Sequence, residues 1–375
     1  MGARPRPPAG DSAPVARRAA YFRLRCLVAL LAALAGVTPV RAQSAGTVLS
    51  GLPAPIVRIN LRQGDVIVGT GSQPAVSIDA PPSVAVTRFS AGGQRAAGDV
   101  PLPIFAGEIE GPNGPVVLPA ETFVVSTLPA GPRDVVDLRG EGGVVHVTIP
   151  QTTALLVVQI GRGRVEVDGY HNGTIIARVR GGSIVFRDAG GDAFAQVLRG
   201  PTYIADSNFN RLRARSGLGN IVLERSGANQ IQVSSVDGSI VDDAASFAPG
   251  LARFESQHGS VAIGAAGPVQ LQGQTAGGRV FTAFNRAATV DNRQTTANAI
   301  VQGGGPVVNA TSTTGSVFLY DGSLGDHATL PPAWRGPQAL FRRLPANSNR
   351  YPRARFTRPA PGAQAPRRAL ATPRP

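Results

Sequence analysis

Short runs of alternating apolar and polar residues, each leading to a glycine, repeat along the chain from about residue 155 to about residue 320. The second residue after the glycine is usually Ile or Val, as in Gly182-Ser183-Ile184 and Gly238-Ser239-Ile240. The glycines that open the units are Gly163, Gly182, Gly200, Gly219, Gly238, Gly259, Gly278 and Gly315. As far as Gly278 the steps are 19, 18, 19, 19, 21 and 19 residues, so the chain repeats with a period of about 19 residues.

A second strand is predicted on the N-terminal side of each glycine. Apolar or small residues lie seven and five residues before the glycine, and a polar residue lies four residues before it. In one unit these are Ile175, Ala177 and Arg178. Alternation with a period of two is typical of a β-strand that buries one face and exposes the other.

A unit of two short strands and a turn cannot bury its apolar face alone, so we expect the units to stack. The sequence predicts an all-β fold, namely a single-stack β-solenoid of short coils of about 19 residues. Each coil is expected to pair with the next along the chain, about 4.8 Å away. Ile184, Ile221, Ile240 and Val261 are then predicted to share one interior row.

The interval between Gly278 and Gly315 holds one degenerate unit, Asn298-Ala299-Ile300. Asparagine tolerates positive φ better than most residues, so it is a reasonable substitute for glycine at the turn. This unit predicts one further coil, although Asp291 then falls at an inward position.

The repeat resembles a known family. Val144–Pro150, followed by the apolar residues 155–158 and the turn 163–167, is similar to the bacterial putative-adhesin family of short-repeat β-solenoids, which also uses Gly-Ser-Ile turns. The resemblance covers residues 140–322, about half of the chain. It implies an exported or surface-located domain of unknown function and provides no catalytic residues.

The two ends of the chain differ from the repeats. Residues 1–42 are predicted to be a signal peptide, because arginines precede the apolar run 26–37 and a small-residue cleavage site ends at Ala42. Residues 43–140 are predicted to be an N-terminal β segment that caps the solenoid and contains an insertion. Residues 141–322 form the predicted repeats, and 323–375 form a Pro- and Arg-rich tail predicted to be disordered. The protein is therefore expected to be exported to the periplasm, the cell surface or the medium.

The formal charge of +14 is concentrated in the two ends. The predicted signal peptide carries +6, the residues after Asp326 carry +10, and the body between them carries −2. A near-neutral body argues against a dedicated nucleic-acid domain. The tail is expected either to be a solvated end or to attach the protein to an anionic surface. The only cysteine, Cys26, lies in the predicted signal peptide, so no disulfide is expected in the mature chain.

Two columns of outward-facing residues are candidates for binding. The residue three positions after each glycine is mostly apolar, and Tyr203, Phe281 and Phe318 are its aromatic members. This stripe is expected either to be covered by the N-terminal segment or the tail, or to bind a partner. The polar column four residues before the glycine contains Arg178, Gln196 and Arg215, which are expected either to be solvated or to bind glycan hydroxyls.

Catalytic chemistry has little support in the sequence. The four histidines are scattered, and no metal, nucleotide or nucleophile motif is present, so no cofactor or metal is expected. Acidic residues recur after the second strand, at Asp168, Asp188, Asp206, Glu224, Asp243 and Asp321. They are interpreted as turn residues, and the alternative is a carboxylate ladder that binds Ca²⁺ or cleaves polysaccharide.

These observations favour an exported, adhesin-like or envelope-associated binding or structural module without catalytic activity. Its expected partner is a cell-envelope glycan or protein. The alternative is a parallel β-helix lyase or hydrolase that acts on polysaccharide. The oligomeric state is not predicted.

Overall fold

The computed structural model describes residues 46–91, 100–104, 107–112, 114–118, 121–125 and 133–323, and every regular element in them is a β-strand. The predicted signal peptide, 1–42, lies outside the described residues, as does all of the predicted tail except Ser323. The all-β class predicted from the sequence is confirmed for the described part of the chain.

The described residues form 27 strands. They are β1 Thr47–Ser50, β2 Ile56–Gln63, β3 Asp65–Gly71, β4 Ala75–Asp79, β5 Val84–Ala91, β6 Val100–Ile104, β7 Gly107–Gly111, β8 Gly114–Leu118, β9 Glu121–Val125, β10 Arg133–Gly140, β11 Val144–Pro150, β12 Leu155–Asp168, β13 Thr174–Arg187, β14 Gly190–Arg199, β15 Thr202–Ala205, β16 Asn208–Leu218, β17 Ile221–Glu224, β18 Gly227–Asp237, β19 Ile240–Phe247, β20 Ala252–Ser256, β21 Val261–Ala265, β22 Val269–Thr275, β23 Val280–Ala283, β24 Ala288–Arg293, β25 Thr296–Val301, β26 Val307–Ser312 and β27 Val317–Asp321.

Most of these strands pair in parallel as two columns. The first-strand column runs β10, β2, β12, β13, β14, β16, β18, β20, β26, β22. The second-strand column runs β11, β3, β12, β13, β15, β17, β19, β21, β27, β23. The long strands β12 and β13 contribute to both columns. We call each pair of strands joined at a glycine a rung, and the described residues contain ten rungs in one continuous parallel stack.

The rungs do not all stack in chain order. In the middle of the stack each rung pairs with the next along the chain, as the sequence predicts. At the first end, the rung β2–β3 is inserted between β10–β11 and β12. At the last end, the rung β26–β27 is inserted between β20–β21 and β22–β23. The prediction that every coil pairs with its successor is therefore wrong at both ends.

Antiparallel strands cover the outermost rungs. At the first end, β5 pairs with β10 and β4 pairs with β11. At the last end, β25 pairs with β22, and β24 extends that sheet. The degenerate unit at Asn298 is thus part of the antiparallel strand β25 and does not form a parallel coil. Asp291, predicted to face inward, is exposed on β24 because that strand only covers the end of the stack.

Like side chains superpose along the interior of the stack. Ile184, Thr202, Ile221, Ile240 and Val261 are successive partners in one row, and all five are fully buried. A second row, from the first-strand column, contains residues such as Leu156, Ile175 and Leu212. Burial of an aliphatic side chain contributes roughly 1.5–3 kcal/mol, so each member of these rows stabilises the fold appreciably.

Glycine is required where the two strands of a rung meet. In stack order these residues are Gly143, Gly64, Gly163, Gly182, Gly200, Gly219, Gly238, Gly259, Gly315 and Gly278. At every step a Cβ would lie 1.8–2.3 Å from the carbonyl oxygen of the preceding glycine. Gly163 and Gly182 also have φ values of 137° and 138°, which L-residues rarely adopt. The contacts between these glycines therefore follow the same rung order as the strand pairing, including the inserted rung at each end.

The later corners have a different construction from the earlier ones. Positive φ is absent at Gly238, Gly259, Gly315 and Gly278. At these corners a hydroxyl three residues before the glycine donates a hydrogen bond to the glycine carbonyl of the preceding rung. Ser256 Oγ donates to the Gly238 carbonyl at 2.8 Å. Equivalent bonds run from Ser312 Oγ to the Gly259 carbonyl at 2.7 Å and from Thr275 Oγ1 to the Gly315 carbonyl at 2.6 Å. These side chains link adjacent rungs in addition to the backbone ladder.

Candidate functional site

The polar column predicted as a binding surface is partly buried. Arg178, Gln196 and Arg215 are in-register partners on three successive rungs. The Arg178 Nε–H donates to Gln196 Oε1 at 3.1 Å, and Gln196 is only 3% exposed. Burial lowers the pKa of the Arg178 guanidinium. The structure therefore brings Arg178 and Gln196 together as a contact within the fold.

The hairpin formed by β7 and β8 lies beside this column. Arg199 donates a hydrogen bond of 3.2 Å to the carbonyl of Glu110, and a Cβ at Gly111 would lie 3.1 Å from Leu218 Cδ2. Val116 and Leu118 are buried, whereas Val117 is 53% exposed. The hairpin thus forms a wall that stands on the outer face of β14 and β16.

A groove of about 420 Å³ opens next to this wall. It is lined by Val117, Leu118, Arg213, Arg215, Gln232, Ser234, Ser235, Val236, Glu255, Ser256, Gln257, Thr311 and Thr313. We call it the hairpin groove. Hydroxyl, amide, guanidinium and carboxylate groups predominate, and the exposed Val117 provides an apolar contact.

Register fixes the polar groups of the hairpin groove in a repeating array. Arg215, Ser234, Glu255 and Thr311 are successive in-register partners on four rungs. Parallel strands lie about 4.8 Å apart, so the groove presents polar side chains at that interval across the strands. Glu255 also forms an ion pair with Arg253 on its own strand. Such an array can donate and accept hydrogen bonds along an extended polar ligand.

The aromatic residues predicted as binding anchors lie in the second-strand column. Phe281 and Phe318 are in-register partners whose rings stack at 5.2 Å with an interplanar angle of 12°. Phe318 is buried, and Phe281 is half-buried. Tyr203, four rungs from Phe318 in the stack, is half-buried and donates from its hydroxyl to Glu224 Oε2 at 2.5 Å. Burial, followed by that hydrogen bond, raises the pKa of Tyr203. The structure therefore joins the two phenylalanines and leaves Tyr203 apart from them.

The recurring acids do not form one ladder. Asp168, Arg187, Ala205, Glu224 and Asp243 are successive partners, so cationic and apolar residues interrupt the acids. One residue further along the turn, Asp188 and Asp206 have φ values of 46° and 50°. That conformation suits the turn interpretation, because Asp tolerates the left-handed region better than most residues.

Asp206 is further neutralised by a two-point contact with Arg225. The Arg225 Nε and Nη2 groups donate to the two carboxylate oxygens of Asp206 at 2.7 and 3.0 Å. This hydrogen bonding lowers the pKa of Asp206. An acid held ionised in this way is poorly suited to act as a general acid.

A buried carboxylate that was not predicted from the sequence, Asp242, lies near the inserted rung β26–β27 beside the predicted turn acid Asp243. Asp242 occupies an interior row between Leu223 and Ile263, is fully buried, and neither of its carboxylate oxygens has a hydrogen-bond partner among the described residues. Burial, reinforced by the neighbouring Asp243, raises the pKa of Asp242 well above its usual value. The 21-residue step from Gly238 to Gly259 was the available signal, since it marks the register shift after Asp242.

Asp243 receives the end of the inserted rung. Tyr320 is fully buried, and its hydroxyl donates to Asp243 Oδ1 at 2.9 Å. Ser323 Oγ donates to Asp243 Oδ2 at 2.8 Å. The next carboxylate, Asp321, accepts hydrogen bonds of 2.8 Å from the backbone N–H groups of Asn285 and Arg286. Residues 320–323 thus fasten the end of the inserted rung β26–β27 to β19, two rungs away, and to the segment that follows β23.

Comparison with known proteins gives little further information. No family model and no curated protein matches the chain. One solved structure, described as a putative cell adhesion protein from Clostridium sporogenes, aligns with 74% of this chain and 100% of its own, at 8% identity and a TM-score of 0.21. Within the described ranges, no helix is long and apolar enough to cross a membrane, and no group of three or more His, Cys, Asp or Glu residues is arranged to hold a metal ion.

Proposed function

We propose that this protein is an exported, non-enzymatic binding module of the adhesin-like or envelope-associated type. We further propose that its body is a single-stack β-solenoid with coils of about 19 residues, of the kind seen in the bacterial family that it resembles. The parallel register and the interior rows support this architecture. The predicted signal peptide supports export to the periplasm, the cell surface or the medium.

The observation that carries the proposed function is the hairpin groove. Polar side chains at the same position on four rungs form a continuous polar surface, and the strand register positions them. A glycan offers a dense series of hydroxyl groups, which amide, hydroxyl and charged side chains can bind. We therefore favour a cell-envelope glycan as the ligand, with an envelope protein as the other partner class.

Substitution of groove amides tests this proposal. Gln232→Ala with Gln257→Ala removes two side chains that line the groove, and Gln73→Ala with Gln294→Ala removes two exposed amides that do not line it. A hydrogen bond contributes about 1 kcal/mol net, so the groove variant should bind a recognised envelope glycan about tenfold or more weakly. The control variant should bind like the native chain.

A panel of envelope glycans, probed with the native chain and both variants, provides the measurement. Equal affinity of all three proteins for every ligand in the panel would contradict a role for the groove. Shortening of any glycan by the native chain, lost in Asp188→Asn with Asp206→Asn, would instead favour the polysaccharide-acting enzyme.

The predicted tail is a second contact with the envelope. We propose that its arginines hold the protein at an anionic surface, an interaction that salt screens. Removal of residues 331–375 should then lower retention by isolated envelopes at low salt and have little effect at high salt. If the truncated protein were retained at low salt as well as the native chain, the tail would have no role in attachment, and the body alone would bind the envelope.

A further inference from the structure

A second concave surface lies at the glycine corner near the first end of the stack. It encloses about 680 Å³ and is lined by Arg62, Gln63, Glu141, Gly161, Arg162 and Arg180. Gln63 and Arg162 are in-register partners on adjacent rungs, and Arg162 in turn pairs with Gly181, the residue after Arg180. Three arginines from three successive rungs therefore surround one cavity, which we call the arginine corner.

The arginines of this corner are available to a ligand. All three are exposed. Arg162 and Arg180 form no ion pair or side-chain hydrogen bond within the described part of the chain. Arg62 has one acidic neighbour, Glu141, at 3.5 Å, and both of those side chains are at least 70% exposed. A single exposed pair of this kind is weak, so the corner retains a local excess of positive charge.

This excess stands out because the body as a whole is slightly acidic. Elsewhere on the stack the arginines are mostly paired with carboxylates, as in Arg211 with Asp192 and Arg225 with Asp206. Guanidinium groups bind planar or tetrahedral oxyanions through two parallel hydrogen bonds. Their arrangement across rungs suits a ligand that carries several anionic groups in series.

We propose that the arginine corner binds an acidic polysaccharide through its carboxylate or sulfate groups. A polysaccharide is favoured over single-stranded nucleic acid because the lining contains no aromatic side chain on which bases could stack. The corner is also confined to three rungs and lacks the extended basic face of nucleic-acid domains. The site shares no lining residue with the hairpin groove, so it binds independently of the proposed function of that groove.

Paired charge-removing variants of the full chain test this proposal. Arg162→Gln with Arg180→Gln removes two corner arginines, and Arg279→Gln with Arg293→Gln removes two exposed arginines from the other end of the stack. The probes are polygalacturonate, a sulfated polysaccharide, neutral dextran and single-stranded DNA. Affinity and ligand-induced thermal stabilisation are measured, because all three proteins carry the same tail and its contribution cancels in the comparison.

The corner variant should bind at least one of the two acidic polysaccharides about tenfold or more weakly than the native chain. The slope of log affinity against log salt should fall by roughly 1–2. The control variant should keep native affinity, and dextran should not bind through the corner. Equal losses in both variants, no binding of either acidic polysaccharide, or tighter binding of DNA that depends on the corner would each overturn the proposal.

Discussion

At each end of the stack a rung is inserted out of chain order, and antiparallel strands cover the outermost rung. The two ends differ in how much of that outermost rung is covered. At the first end, the outermost rung β10–β11 is covered on both strands, by β5 and β4. At the last end, β25 covers β22, while the four-residue strand β23 pairs in parallel only with β27. Among the described residues, the backbone bond at its outer edge runs from the Val280 N–H to the Gln294 carbonyl.

This difference shows how a stack of repeated strands limits the pairing of further strands at its ends. An unpaired parallel edge is a template for another strand, and both ends replace most of that edge with antiparallel strands. The chain also enters and leaves the stack one rung inside each end. The outermost rungs are therefore held by segments distant in sequence, and the last described rung along the chain, β26–β27, completes the fold.

Glycine substitution at the two inserted rungs should have the largest effect. Gly64→Ala places a Cβ 2.2 Å from the Gly143 carbonyl and must also adopt a φ of 122°, whereas Gly315→Ala meets only the close contact, 2.3 Å from the Gly259 carbonyl. Strain and overpacking each cost about 1–3 kcal/mol, so Gly64→Ala should lose about 3 kcal/mol or more and Gly315→Ala less.

Chemical denaturation measures both losses, and Gly69→Ala is the control because a Cβ there meets nothing within 4 Å. A loss at Gly69 as large as the loss at Gly64 would mean that the corners do not require glycine.

Asp242 should make the last end sensitive to pH. The first end has apolar residues, Val147 and Val68, at the corresponding row position. Because the folded-state pKa of Asp242 is raised, the carboxyl is ionised in the unfolded chain and protonated in the folded chain between its two pKa values. Stability therefore falls as pH rises above about 4, by at most about 1.4 kcal/mol per pH unit for this group.

Asp242→Asn should remove this dependence and raise stability at pH 8 by about 1–3 kcal/mol, with a smaller gain at pH 5. Denaturation at the two pH values, combined with hydrogen exchange, checks both points. Exchange of β26–β27 should slow in the variant at pH 8, while exchange of β2–β3 should not change. A gain that is the same at both pH values would contradict the assigned pKa shift.

The contact of Tyr320 with Asp243 should have a smaller effect. Tyr320→Phe removes one hydrogen bond from a buried carboxylate that keeps its bond from Ser323, so the loss should be about 1–2 kcal/mol. Ser323→Ala should cost less, because that residue is more exposed. Equal melting temperatures for Tyr320→Phe and the native chain would show that this contact does not hold the inserted rung.

The middle of the stack could be predicted from the sequence, and the ends could not. The alternation around Gly182 and Gly219 fixes strand, corner and inward face, because one short period governs all three. Stacking order depends on which distant segment fills the space beside a rung, and local periodicity does not encode it. At Asn298 the pattern favours a parallel coil, yet the same alternation serves equally well for an antiparallel covering strand.

The candidate sites were predictable in the same uneven way. Arg215 was identified because it belongs to a periodic column. The wall of the groove at Val117 comes from an insertion without periodicity, and its position depends on tertiary contacts. The arginine corner joins Arg62 to Arg162 and Arg180 only because β2 is inserted next to β12. Chain-order stacking would have placed β10 between β2 and β12 and so separated Arg62 from Arg162 and Arg180.

The interleaved order of the rungs is tested most directly by disulfide formation. In a Cys26→Ser background, Arg253→Cys is combined with either Asn309→Cys or Gln272→Cys. Arg253 is the in-register partner of Asn309, which in turn pairs with Gln272. Adjacent rungs lie about 4.8 Å apart and alternate rungs roughly 10 Å apart, whereas a disulfide requires Cα atoms within about 7 Å. Mild oxidation should therefore cross-link 253 to 309 and leave 253 and 272 reduced. Efficient cross-linking of 253 to 272, with none to 309, would contradict the inserted rung.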